Sequence, residues 1–73
     1  MLIELTRIDG SKININFFQI EMVERKTNTV IRMINEVSYI VTETPTEIEE
    51  KIKNELRNVL KELVGGEYGK KKV

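Results

Sequence analysis

The chain has no cysteine and no histidine. Disulfide staples are therefore excluded, and so are metal sites built on thiolate or imidazole. The same absence removes the nucleophilic thiol and the imidazole base from the catalytic repertoire. The carboxylates that remain fall mostly in a helical pattern with lysines beside them. No pair of them is placed in an apolar pocket suited to acid–base work, so neither catalysis nor a cofactor is expected. Tryptophan is absent too. Phe17, Phe18, Tyr39 and Tyr68 do not form a stacking platform for bases. The isolated Gly65-Gly66 pair is not a phosphate loop. No apolar run approaches the length of a membrane span. The opening "MLIELTR" lacks the basic-then-apolar build of a signal peptide, so a cytoplasmic location is expected.

Charge of either sign is also not in excess: 12 basic and 12 acidic residues give a formal net charge of zero. No global basic field exists to draw in nucleic acid, and a nucleic-acid partner is not expected. The length, 73 residues, suits one small domain with a marginal core of its own. Small scaffolds need a staple, and with disulfides and His/Cys metal sites gone the remaining one is self-association. A homo-oligomer is the expectation.

What is present reads as strands followed by a helix. Residues 2–8, "LIELTRI", are β-branched and apolar enough for a first strand. Asp9-Gly10 follows as a hairpin turn, because glycine takes positive φ without steric cost. Residues 12–17 alternate, with Ile13, Ile15 and Phe17 on one face and Asn14 and Asn16 on the other. Residues 20–26 form a third strand with Ile20 and Met22 on one face and Glu21 and Val23 on the other. Thr27-Asn28 turns the chain into a fourth strand, 29–34, and Asn35-Glu36 turns it into a fifth, 37–42. Short connections make neighbouring strands antiparallel. The last two strands carry apolar residues on both faces. Either the sheet curls to cover both, or the second face is buried against another protomer.

The helix start is the clearest local signal. Thr44, Pro45 and Glu47 stand at N-cap, N1 and N3, the pattern of a capping box with proline where its missing N–H costs nothing. Ile48, Ile52, Leu56, Val59, Leu60 and Leu63 then make one apolar stripe, and Glu47–Lys51 and Glu49–Lys53 are spaced as ion pairs. The helix is placed at 45–64. The expected fold is thus β-rich α+β, five short antiparallel strands and a C-terminal amphipathic helix. Residues 1–64 form the domain, and residues 65–73 are a flexible basic tail.

Two places suggest contact with a partner. Thr6 and Arg7 lie beside the first turn, where an arginine fork grips an anion or simply stands exposed on a strand. The far end of the helix, at Val59, Leu63 and Val64, outreaches a five-residue strand and is free to project, although the stripe as a whole reads first as sheet cover.

The order of these pieces resembles the small flagellar FlbD (SwrD) family. Its members open M-I-x-L-T-R-L-N-G, matched here by "MLIELTRIDG". An L-N-x-x-x-I-E segment follows, matched by "INFFQIE". A T-x-T-V-I stretch is matched by "TNTVI", an aromatic–apolar strand by "SYIV", and a glutamate-rich helix closes the domain. The resemblance covers residues 1–53. It departs at Asn35-Glu36, where the family commonly has Asn-Gly; glutamate tolerates positive φ poorly. "RKTNT" also lacks a proline that is often found there, and the helix and tail are longer than usual. The resemblance implies a non-catalytic protein of bacterial flagellar motility. It would support swarming and motor power through contact with the motor or stator, from the cytoplasmic side.

A second likeness is to the carbon-storage-regulator (CsrA) RNA-binding proteins. They also begin with a Leu-Thr-Arg strand, matched by Leu5-Thr6-Arg7, and also have five strands and a helix. It implies a post-transcriptional regulator as the alternative function. The second arginine patch of that family is replaced here by "TETPTEIEE", whose acids repel phosphate.

Overall fold

The computed structural model describes residues 1–65. The tail from Gly66 on, with Tyr68 and Lys70 to Lys72, lies outside the described residues, as does the side chain of Val64. Five strands appear in chain order: β1 (Leu2–Thr6), β2 (Lys12–Asn16), β3 (Ile20–Arg25), β4 (Thr29–Met33) and β5 (Ser38–Val41). A 3-10 turn, Phe17–Gln19, joins β2 to β3. Helix α1 (Pro45–Leu60) follows, and a π-helical turn, Lys61–Gly65, continues it. The β-rich arrangement with a C-terminal helix is as the residue pattern implies. Each strand ends one or two residues inside the expected bounds, because turn hydrogen bonds claim the flanking residues. The helix expected over 45–64 is α-helical only to Leu60.

The strands do not form one sheet. β1 and β2 make an antiparallel hairpin, and β3, β4 and β5 make a separate antiparallel meander. A single bridge, Arg7 to Val41, joins them, helped by a hydrogen bond from Thr42 N to Thr6 O at 2.8 Å. Splitting the strands in this way lets two sheets close on one core. Ile3 and Leu5 from β1, Ile15 from β2, Phe17, Ile31 and Met33 from β4, Val41 from β5 and Ile48 from α1 are all buried there. Thr29 is buried with them, and its hydroxyl accepts a hydrogen bond from Arg25 Nη1 at 3.1 Å.

The period-2 reading holds for β2, where Ile15 and Phe17 are buried and Ile13 packs against the core. It fails in β3. The pairing with β4 shifts between Ile20 and Met22, so one extra residue enters the strand. Ile20 and Val23 both face the core as a result, and Met22, expected beside Ile20, is turned outward. On β4 and β5 the second apolar face stays open. Val30 pairs with Ile40 on that side, and Ile40 is exposed.

Two of the hairpin loops share one geometry. In the first, Gly10 N donates to Arg7 O, Arg7 N donates to Ser11 O, and Ser11 N donates to the Asp9 carboxylate. In the β4–β5 loop, Glu36 N donates to Met33 O, Met33 N to Val37 O, and Val37 N to the Asn35 side chain. "Ile-Asp-Gly-Ser" and "Ile-Asn-Glu-Val" therefore build the same three-residue turn, closed by a residue of positive φ. That residue is Gly10 at 91° in one and Glu36 at 72° in the other. The turn forms despite the glutamate, because the hairpin on either side and the Asn35 side chain hold it. Glu36→Gly is expected to relieve this left-handed strain and raise stability by about 0.5–1 kcal/mol. The exposed Arg32–Glu36 pair that it removes contributes little, and Arg32 keeps Glu21 at 3.3 Å. A urea midpoint equal to or below that of the wild type would refute this account of the turn.

The helix begins as the capping residues dictate. Thr44 Oγ1 accepts from Glu47 N at 3.1 Å, and Glu47 Oε1 accepts from Thr44 N at 2.8 Å, with Pro45 in the first turn. The same contact explains one difference from the spacing argument. Glu49 pairs with Lys53 at 3.7 Å, whereas Glu47 turns back to the cap and makes no ion pair with Lys51.

Candidate functional site

The residues expected to meet partners fall at opposite ends of the molecule. Thr6 and Arg7 lie at the end where β1 hands over to the first turn and where α1 begins. Thr6 is held by a clasp: its N–H donates to Glu43 Oε1 and its hydroxyl to Glu43 Oε2, each at 2.9 Å. Lys12 Nζ donates to the same hydroxyl at 2.8 Å. Burial raises the Glu43 pKa, but the two hydrogen bonds from Thr6 outweigh it, and the carboxyl titrates below its ordinary value. The N–H, hydroxyl and carbonyl of Thr6 are thus all spent on tying β1 to the segment that follows β5.

Arg7 is exposed and makes no ion pair among the described residues. Its backbone carries the bridge to Val41. Asp9, two residues on, is held below the usual carboxylate range, first by the Ser11 hydroxyl at 2.6 Å and then by the Ser11 N–H, with a smaller part from the Arg7 charge. Arg7 is left as a solvent-facing cation beside an ordered turn.

The other end is apolar. From its clasp at Thr6, α1 runs back along β1, and Asn58 reaches a shallow groove shared with Leu2. β1 spans about 17 Å at its rise per residue and α1 about 24 Å, so the helix goes on where the sheet stops. Its stripe changes role along the way. Ile48 is 2% exposed and Ile52 packs against the core, but Leu60 is 58% and Leu63 is 66% exposed. Val59 is half-buried. At the same end of the sheets, Phe18 and Ile34 are 64% and 61% exposed. Backbone hydrogen bonds bring these pieces together: Phe17 N donates to Met1 O, and Ile34 N to Gln19 O. Neither Phe18 nor Ile34 stands among the expected contact residues: Ile34 falls at the end of the expected fourth strand and Phe18 between the second and third. The 3-10 turn aims consecutive phenylalanines apart, with Phe17 buried and Phe18 out. Glu43 was also missed as a structural partner. It was read only as one of the acids that replace an arginine patch.

Comparison with known families gives a match over residues 2–60 to the model described as "FlbD: Flagellar and Swarming motility proteins". The chain belongs to the FlbD family. The match takes in all five strands, the clasp and the whole of α1. FlbD membership therefore extends beyond the residues 1–53 on which the motif resemblance rests. Neither the curated proteins nor the solved structures gave a match. The likeness to the carbon-storage regulators has no support in these comparisons. Among the described residues, no helix of this FlbD protein is long and apolar enough to cross a membrane.

Proposed function

We propose that the protein is a non-catalytic accessory of the bacterial flagellum that sustains motor power, at the stator, through protein contacts on the cytoplasmic side. The observation that carries this reading is the family match over residues 2–60 to flagellar and swarming motility proteins. The surface is consistent with a contact role, since large apolar side chains at one end of the molecule are left uncovered. An RNA-regulator reading gains nothing from the Leu5-Thr6-Arg7 strand: the Thr6 hydroxyl is already bonded to a carboxylate, which repels phosphate from that place.

The test is genetic and mechanical. Deleting the gene is expected to lower swarming, swimming speed and the torque of tethered cells while flagella are still assembled. Complementation with the wild-type gene restores all three. Unchanged torque in the deletion strain would overturn the stator reading. Wild-type swarming as well would overturn the motility assignment for this chain.

A further inference from the structure

The apolar end raises a question that motility alone does not answer: what covers it. The far end of the helix, α1 with the π-helical turn after it, presents Leu56, Leu60 and Leu63, and the sheet end presents Leu2, Phe18 and Ile34. The stripe that buries Ile48 against the core continues in the same direction past the end of β1, so its far half faces open space beside the sheet end. Two apolar surfaces, a helix face and the sheet end, are thus left uncovered toward one end of the molecule.

We infer that a second copy of this chain covers both surfaces, the far end of the helix of each protomer lying on the sheet end of the other about a two-fold axis. Three observations select this occupant. The first is area. With Met1 and Val37 at their rim, these residues are 37% to 66% exposed and together offer on the order of 800 Å² of accessible surface per protomer, comparable with what each partner contributes to a standard stable interface. A pair formed by the helix ends alone would bury less than half of that. Only an arrangement that uses both surfaces reaches it, and a two-fold pair does so because each protomer carries both.

The second observation is charge. The chain carries no net charge, and past Asn58, where the helix runs beyond β1, Glu62 is balanced by Lys61. Two copies therefore approach without mutual repulsion. The third is the size of the core. Eight buried apolar residues and no disulfide hold the described domain together, and small domains of this kind gain their missing stability from association. This inference does not rest on the motility reading, and its test is separate from it.

The experiment is light scattering after size exclusion on the full chain, from about 5 to 100 μM. The expected wild-type mass is twice 8.5 kDa. Leu60→Glu/Leu63→Glu is expected to run at the monomer mass with an unchanged far-ultraviolet circular dichroism spectrum, since both side chains are already mostly exposed and leave the core intact. Phe18→Glu, at the sheet end, should give the same result. Ile40→Glu, on the open outer face of β5, should stay dimeric. In a mixed dimer, a photoreactive residue at position 63 should cross-link to the segment around Phe18 and Ile34 of the other copy. A wild-type monomer at 100 μM would overturn the proposal, and so would a dimer that survives both the helix-end and the sheet-end variants. Loss of the dimer in Ile40→Glu alone would place the interface on the outer sheet face and overturn it as well.

Discussion

Ile48→Ala is expected to lower the stability of the protein by about 3 kcal/mol, the middle of the range for truncating a fully buried isoleucine. Ile48 is 2% exposed and is the one buried residue of α1 among those described. Ile52 only packs against the edge of the core, and the rest of the stripe is half-buried or exposed. The helix is therefore attached by one apolar peg and by its N-terminal clasp. A 16-residue helix with so little of its face covered has little stability apart from the sheet. A domain of this size holds roughly 4–10 kcal/mol in all, so a loss of 3 is a large share. Urea unfolding followed by circular dichroism at 222 nm is the measurement. The midpoint should fall sharply and helical signal should be lost at lower denaturant than sheet signal. A change under about 1 kcal/mol would mean that the helix is held by something other than this contact.

The second large effect is expected at the clasp. Glu43→Ala leaves the Thr6 N–H and hydroxyl without their acceptor in a part-buried place, a loss of about 2 kcal/mol. Alanine is the severe form. Glu43→Gln keeps an oxygen to accept from Thr6 but carries no charge, and it serves to isolate the titration. Because the folded carboxyl titrates below its unfolded value, the unfolded chain takes up the proton first as pH falls. The charge-dependent part of the clasp is thus fully present above the unfolded pKa, about 4.3. It is lost as pH drops through the lower folded value. The stability gap between the wild type and Glu43→Gln should be constant from pH 7 to about 5 and then narrow. A gap that widens on acidification would contradict the sign, and no gap at neutral pH would show that the charge contributes nothing.

These two variants also separate what holds α1 in place. Ile48 acts through apolar burial in the middle of the first turns, and Glu43 through polar contacts just before them. Their effects should add only in part, since both fix the same helix start against the same strand.

Much of the local structure was legible in the chain. Asp9-Gly10 announces a turn because only a residue free to take positive φ closes it well, and Gly10 sits at 91°. Thr44-Pro45-Thr46-Glu47 announces a helix start because the bonds it makes span three residues, and both are present. The alternation in "KININF" placed Ile15 and Phe17 inside correctly, since nothing interrupts that strand's pairing. Of the candidate contact residues at the helix end, Leu63 is exposed and Val59 is half-buried.

Other features depend on partners that local pattern does not reveal. "FFQIEMV" gives no sign of where a 3-10 turn ends and a shifted register begins. The pairing with β4 decides that, and it puts Val23 in, Met22 out and Phe18 in solvent. Nor does "LTRIDG" show that Thr6 is taken. Its acceptor lies 37 residues away and reaches it only after five strands have folded into two sheets.

The sequence by itself determined the order of the five strands and the helix, the hairpin turns, the helix cap and the family, because each is written in spacings of a few residues or in a linear order of motifs. The tertiary structure decided which apolar residues are covered. Burial is set by what packs opposite a side chain. Here the helix outlasts the strand it lies on, so one continuous stripe is core at Ile48 and open surface at Leu63.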